Sequence, residues 1–331
     1  MFDLVAFIPR AVMQGIPLLF GSTGETLTEK SGNLNLGIPG IMYVGGIGGV
    51  IGAFLYEQAA GGNMNAFLAL FFPLLGCLLG SGLMGALYCF LTVTLRANQN
   101  VTGLALTTFG MGVANFGGVF LLNGASYTAA PLAFSAYSTK VIPGWDKAGV
   151  FGEMFLSYGF LVYVAILLAV GLHLFLNKTR VGLNLRAIGE SPATADAAGI
   201  HVTRYKYLAT CIGAGISGIG GLYYVLDYNR GIWATTGQIE ALGWLAVALV
   251  IFTTWRPLNG IWGAYLFGML YWLYQYLPNL LGITISNYLI DLVQMIPYVV
   301  TIVVLIVVSL RKKRENQPPA SLGIAYYREE R

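Results

Sequence analysis

The feature that most constrains this chain is a series of long stretches without a single charged residue. Three of them span 97–139, 154–177 and 257–290, and a helix needs roughly 20 apolar residues to cross a bilayer. Only 10% of all residues are charged and 56% are hydrophobic, whereas soluble domains carry about 25% charged residues. So much apolar surface cannot be hidden inside a water-soluble globule. We therefore expect an all-α, polytopic membrane protein.

Dividing these stretches at clusters of polar residues, glycine and proline predicts nine transmembrane helices. Their approximate ranges are 4–22, 36–57, 65–94, 101–122, 154–177, 205–227, 239–254, 258–277 and 287–310. Residues 1–310 then form a single transmembrane domain, and residues 311–331 form a basic cytoplasmic tail.

Lysine and arginine residues predict the orientation, because the loops that stay in the cytoplasm carry an excess of them. With the basic tail inside, 14 of the 18 basic residues fall on the cytoplasmic side. Lys140, Lys147 and Arg230 fall outside, and Arg10 stays within the first span. This predicts an outside N-terminus, a cytoplasmic loop 178–204 and an extracellular loop 123–153. Spans 1 to 4 and 6 to 9 then have opposite polarity, which is the geometry of an inverted repeat.

The same residues argue against several other classes of protein. The net charge of +4 comes from basic residues beside membrane segments, so we expect no nucleic-acid partner. Cys77, Cys89 and Cys211 lie in apolar stretches without metal-ligand spacing, so we expect no metal site. None of the seven lysines follows a glycine, so the chain has no Gly-Lys-Ser/Thr phosphate-binding loop. If ATP drives transport, a separate subunit binds ATP and Mg²⁺, and this chain is neither an enzyme nor the holder of a cofactor.

Residues 31–40 contain two asparagines, three glycines and a proline, a poor composition for a helix where the chain should re-enter the bilayer. Non-helical backbone at that depth persists only beside protein or a water-filled cavity. We expect a break that lines a solute pathway, and an ordinary cytoplasmic turn is the alternative. Acidic residues within predicted spans also point to a pathway, unless they lie at the outer interface in water. The candidate pathway residues are Asn33, Asn35, Gly37, Asn115, Glu240, Asn287 and Asp291.

The cytoplasmic loop 178–204 contains the signals of a short helix. Ser191 is a good N-cap, Pro192 suits the first helical position, and Gly199 suits the C-terminal end. Isolated helices this short are marginal in water, so we expect this one to be held against another protein. The alternative is a helix lying on the bilayer, although its Ala and Thr residues would anchor it poorly.

Two motifs carry a family resemblance. One is Arg180-x-Gly182, Arg186-Ala187-x-Gly189 and Ala197-Ala198-Gly199-Ile200, and the other is Gly24-Glu25-x-x-Thr28-Glu29-Lys30-Ser31-Gly32-x-x-Asn35-Leu36-Gly37. In both, the chain resembles the membrane subunits of bacterial ABC importers in the ribose and branched-chain amino acid permease family, in its nucleoside and simple-sugar branch. It departs from that branch at Pro39, where an acidic residue is usual, and in lacking the N-terminal span of longer relatives.

The resemblance implies a multi-pass permease subunit of a bacterial cell-membrane importer, most simply one for nucleosides. Its implied partners are a cytoplasmic ATP-binding subunit, a second homologous permease and an extracellular substrate-binding lipoprotein. The residues implied to contact the ATPase are Arg180, Arg186, Gly189, Glu190, Ser191, Pro192, Asp196 and Gly199. The alternatives are a simple-sugar ABC permease, an ion-coupled transporter of a neutral polar solute, and a passive channel. A membrane enzyme has the least support, because no catalytic constellation emerges.

Overall fold

A computed structural model describes residues 4–121, 126–234, 237–281, 295–311 and 317–327 of the chain. The described elements are helices apart from one pair of three-residue strands. In order they are α1 (Leu4–Glu29), α2 (Ile38–Ala60), α3 (Ala66–Cys89), α4 (Gln99–Leu121), β1 (Ser126–Thr128), α5 (Pro131–Ser138), α6 (Gly149–Phe155), α7 (Phe160–Lys178), α8 (Arg180–Glu190), α9 (Pro192–Ala197), α10 (Val202–Tyr223), β2 (Ile232–Ala234), α11 (Gln238–Phe252), α12 (Pro257–Leu281) and α13 (Ile296–Arg311). A π-helical turn extends α3 through Phe90–Thr94 and another extends α10 through Tyr224–Tyr228.

Within the described ranges, five helices are long and apolar enough to cross a membrane: α2, α3, α4, α7 and α10, with the π turns included. The prediction of an all-α, multi-pass membrane protein is therefore confirmed. The total of nine spans, the orientation and the inverted repeat stay predictions, and residues 287–294 of the predicted ninth span lie outside the described residues.

Two predicted span boundaries differ from the helix ends by six or seven residues. The first span was predicted to end at 22, but α1 continues to Glu29 because its polar C-terminal turns are enclosed by other helices. The fifth span was predicted to begin at 154, but α7 begins at Phe160. Met154 belongs to the short helix α6, and the non-helical residues 157–159 separate the two helices. The sequence is apolar on both sides of residues 157–159, so its composition alone did not indicate that the helix is interrupted there.

Among the five helices long and apolar enough to cross a membrane, α2 and α10 are the most enclosed. Helix α2 packs against α3 and α10, and α10 also packs against α1 and α3. Small residues allow this approach, as the glycines at four-residue spacing predict. A Cβ atom added to Gly48 on α2 would lie 2.6 Å from the carbonyl oxygen of Gly76 on α3. Another added to Gly45 would lie 2.5 Å from the Cα of Gly218 on α10. The helix backbones are therefore in direct contact at these crossings.

The two loops that the charge count assigns to the outside meet in the small sheet. Strand β1 pairs antiparallel with β2, with Tyr127 opposite Trp233. The Trp233 side chain is fully buried and its ring meets the Tyr43 ring edge-on, with 6.2 Å between centroids. The Tyr127 hydroxyl donates a hydrogen bond of 2.6 Å to the Glu57 carboxylate at the end of α2. This sheet joins the first and second halves of the chain at the end of the bundle that the charge count assigns to the outside.

Candidate functional site

The predicted short helix in the 178–204 loop is confirmed, together with its caps. It is α9, in which the Ser191 hydroxyl accepts a hydrogen bond from the backbone N–H of Thr194 and Pro192 occupies the first turn. Gly199 follows the helix with φ of +83°, the left-handed conformation that glycine adopts without steric penalty. Ala193, Thr194 and Ala197 of α9 are exposed. This face of α9 is therefore available to another subunit.

A second helix, α8, precedes α9 and was not predicted. Its cap is Thr179, whose hydroxyl accepts a hydrogen bond of 3.0 Å from the backbone N–H of Gly182. The buried positions Gly182, Leu185 and Ile188 recur every three residues, so the cap and this spacing together could have revealed the helix. The opposite face is charged and exposed. It carries Arg180, Arg186 and Glu190, three of the residues predicted to contact an ATPase.

Gly189, also in that predicted set, is buried instead. A Cβ atom there would overlap the carbonyl oxygen of Lys30, at the end of α1. The Gly189 carbonyl accepts two hydrogen bonds from Ser321, one from its backbone N–H at 2.9 Å and one from its hydroxyl at 2.6 Å. Gly189 thus joins α8 to the end of α1 and to residues 317–327, which pack back onto the cytoplasmic loop.

The segment between α1 and α2 is non-helical, as predicted, and it is enclosed: Asn33, Asn35 and Gly37 are all buried. An exposed cytoplasmic turn is therefore not what forms here. Side chains from two neighbouring helices, α3 and α4, satisfy its backbone around Leu34 and Leu36. The contacts are Gln99 Oε1 accepting from the Leu34 N–H at 2.7 Å, the Tyr88 hydroxyl donating to the Leu34 carbonyl at 2.5 Å, and the Thr107 hydroxyl donating to the Leu36 carbonyl at 2.9 Å.

Two buried glutamates on α1 also support this segment. Glu25 Oε1 accepts a hydrogen bond of 3.1 Å from the Asn35 N–H. Glu29 lies one helical turn later and accepts a hydrogen bond from the indole N–H of Trp255, which follows α11. Just beyond, burial lowers the pKa of the Lys30 ammonium and the nearby Arg186 guanidinium lowers it further. The segment and α8 therefore share one electrostatic environment at the end of the bundle that is predicted to be cytoplasmic.

At the opposite end of the bundle lies a cavity of about 600 Å³. Its aromatic walls include Tyr223, Tyr228 and Trp272, and it also exposes the cationic side chains of Arg10, Lys140 and Arg230. Asp227 is only 5% exposed there. Neither its Oδ2 nor the Tyr223 hydroxyl has a hydrogen-bond partner among the described residues. The cavity therefore offers flat aromatic surface beside unsatisfied polar atoms, a combination suited to a small polar aromatic solute.

Comparison with known proteins identifies the family. Residues 7–308 match the family described as the permease component of the branched-chain amino acid transport system. The chain belongs to this permease family. That membership favours the ABC permease interpretation over an ion-coupled transporter, a passive channel or an enzyme, and the family implies association with an ATP-binding subunit and a substrate-binding protein.

The names of curated relatives of this permease mention two kinds of substrate, nucleosides and a sugar. The nucleoside ABC transporter permease NupC of Lactococcus lactis is 30% identical over 91% of this chain and 92% of its own length. The guanosine ABC transporter permease NupQ of Bacillus subtilis is 29% identical over 80% of each chain. TsgC13 of Haloferax volcanii, named for glucose transport, is 33% identical over 76% of this chain and 72% of its own length. No solved structure matches the permease.

The predicted pathway residues that the structure describes do not converge on one surface. Asn33, Asn35 and Gly37 are enclosed near the bundle end that the charge count assigns to the cytoplasm, whereas Asn115 is exposed on the surface of α4. Glu240 is half-buried in the first turn of α11. Asn287 and Asp291 lie outside the described residues. Their role in the pathway stays a prediction.

The sequence did not predict the cavity around Asp227, which we call the outer cavity because it lies at the end of the bundle predicted to be outside. Asp227 stands alone between aromatic residues in an otherwise apolar stretch, 222–228, and an acidic residue in such a place is the signal that could have found it. Tyr223 and Trp272 are 49 positions apart in sequence, so only the packing of α10 against α1 and of α1 against α12 reveals that they share a cavity.

Proposed function

We propose that this chain forms half of the membrane pathway of an ATP-driven nucleoside importer in the bacterial cell membrane. A second homologous permease supplies the other half, an extracellular lipoprotein delivers the solute, and a separate ATPase grips α8 and α9 from the cytoplasm. The observation that carries the proposal is the capped, exposed α8–α9 pair, whose buried face contacts the end of α1 and the α1–α2 segment. A movement of α8 therefore reaches that segment directly.

The outer cavity supports a nucleoside as the solute. A purine or pyrimidine base stacks on aromatic side chains, and the unpartnered Oδ2 of Asp227 can accept a hydrogen bond from a base N–H or a ribose hydroxyl group. Its volume of about 600 Å³ lies in the range of small-molecule sites. The names of NupC and NupQ point to the same solute class. The name of TsgC13 keeps a simple sugar as the second candidate.

The coupling role is tested with Glu190→Lys, which reverses an exposed charge at the end of α8. We expect loss of nucleoside uptake and of co-purifying ATPase, because the reversed charge faces the surface that the partner would contact. The matched control is Glu153→Lys, an exposed reversal in the extracellular loop. Normal uptake by Glu190→Lys, with ATPase still bound, would rule out this contact surface.

The solute is tested at Asp227. In Asp227→Asn we expect the KM for nucleoside uptake to rise about tenfold or more, since one strong charge-assisted hydrogen bond is worth about 1.5–3 kcal/mol. Labelled nucleosides, ribose and glucose are compared in the same cells, with Glu57→Gln as a control outside the cavity. Ribose uptake that responds to Asp227→Asn, with no nucleoside uptake in either strain, would favour the sugar candidate instead.

A further inference from the structure

A second polar cavity, of about 460 Å³, lies at the cytoplasmic end of α10 and outside the contacts described above. Its basic side chains come from three places: Arg96 after α3, His201 and Arg204 at the start of α10, and Lys206 in the second turn of α10. The one acidic side chain lining it is Asp196, whose carboxylate accepts a hydrogen bond of 2.9 Å from the Tyr326 hydroxyl. The cavity lining therefore carries an excess of positive charge.

Lys206 is the most informative residue of this cavity. Its side chain is only 3% exposed, and that remainder faces the cavity. Within the described ranges no carboxylate forms an ion pair with its ammonium and no carbonyl accepts a hydrogen bond from it. Burying an ammonium without a counter-charge is unfavourable. The natural way to offset this in the assembled membrane is an anion bound in the cavity.

The backbone provides further donors to the same space. Val202, Thr203 and Arg204 form the first turn of α10 and line the cavity. The N–H groups of a first turn have no partners within the helix, and His201 provides no side-chain cap for them. The start of a helix this long also carries partial positive charge. The α10 N-terminus and Lys206 therefore present donors to one anion.

An apolar groove of about 580 Å³ adjoins the cavity, and His201 and Arg204 line both. The groove lies between α7, α8 and α10, and Leu208, Ile212 and Ile216 follow one face of α10 along it. These residues run from the start of α10 into its membrane-spanning part. Cations at one end and an apolar trough leading into the bilayer match a phospholipid, with its phosphate at the helix end and an acyl chain beside Leu208.

From this arrangement we propose that the cytoplasmic end of α10 binds an anionic phospholipid of the inner leaflet. Its phosphate occupies the cavity of Lys206, Arg96 and Arg204, and one acyl chain occupies the groove beside Leu208. The walls of the two spaces include α8, α9 and Tyr326 of the docked C-terminal segment. The bound lipid therefore braces the cytoplasmic loop against α10.

The proposal is tested with the full-length permease in nanodiscs of phosphatidylcholine, with or without phosphatidylglycerol, and lipid retention is measured by native mass spectrometry. We expect retained phosphatidylglycerol, and about tenfold weaker retention in Lys206→Gln, because one charge-assisted hydrogen bond is lost. Arg96→Gln, at an exposed position, should weaken retention similarly if Lys206→Gln folds poorly. Lys178→Gln, at the exposed end of α7 and outside both spaces, is the control.

A second arm separates the two possible sources of phosphate. Inorganic phosphate is titrated onto the permease in pure phosphatidylcholine nanodiscs, and Leu208→Trp is used to fill the groove. For a phospholipid, Leu208→Trp weakens phosphatidylglycerol retention and leaves the response to inorganic phosphate unchanged. Binding of inorganic phosphate without retention of phosphatidylglycerol would overturn the lipid assignment. Equal retention of phosphatidylglycerol by the wild type, Lys206→Gln and Arg96→Gln would overturn the site itself.

Discussion

The hydrogen bond between the Glu25 carboxylate and the Asn35 N–H allows a sharp test of how the α1–α2 segment is held. Both residues are fully buried and the bond is 3.1 Å long. In Glu25→Leu the acceptor is removed and the N–H is left buried without a partner, which costs about 1–3 kcal/mol. In Glu25→Gln the amide oxygen can still accept, so the expected loss is far smaller. The two variants have similar volume, and the comparison therefore isolates the hydrogen bond.

Hydrogen–deuterium exchange of a peptide covering 31–38 measures this effect in the purified permease. If the segment opens locally, a loss of 1–3 kcal/mol raises the exchange rate of the Asn35 amide about 5- to 150-fold in Glu25→Leu. Glu25→Gln should stay close to the wild type. Glu57→Leu, which removes a carboxylate at the outer end of α2, controls for general loosening. An unchanged exchange rate in Glu25→Leu would refute the idea that Glu25 holds this segment.

Two further predictions concern helix contacts. Gly48→Leu should lower the thermal unfolding temperature in detergent, because its Cβ would meet the Gly76 carbonyl and overpacking costs about 1–3 kcal/mol. The control is Gly82→Leu, which should change the unfolding temperature little because nothing lies within 4 Å of its Cβ position. Gly189→Ala should reduce uptake while the chain still inserts, because the new methyl group would push α8 away from the Lys30 carbonyl. Faster proteolysis of the C-terminal segment in Gly189→Ala would reveal that displacement, and unchanged proteolysis together with normal uptake would contradict it.

Local chemistry was enough to predict part of this structure. Charge-free stretches predicted α2, α4 and α10 to within a few residues, because the bilayer itself demands apolar helices of that length. Ser191, Pro192 and Gly199 predicted α9, since caps act within a single turn. Such features depend on neighbours in sequence, or on the membrane, and not on the rest of the fold.

Features that depend on distant parts of the chain could not be predicted in this way. Glu25 is an acidic residue in the sequence, and nothing local indicates that α10 and the segment before α2 will enclose it. The cavity around Asp227 requires the packing of helices far apart in the chain. In the sequence Lys206 is one of many basic residues predicted to be cytoplasmic, and only the folded structure shows that no described carboxylate pairs with it. In each case the sequence identifies an unusual residue, while tertiary packing decides what that residue contacts.

The docking of residues 317–327 has a practical meaning for anyone who handles this protein. Ser321 donates hydrogen bonds to the Gly189 carbonyl at the C-terminal end of α8. Gly323 donates a backbone hydrogen bond of 3.3 Å to the Gly32 carbonyl. A truncation after residue 316 would remove these contacts from the surface that the ATPase is proposed to bind. Affinity tags are therefore better placed in the loop 123–153, which is predicted to be extracellular, than close behind Tyr327, where they would disturb the proposed contact between α8 and the ATPase.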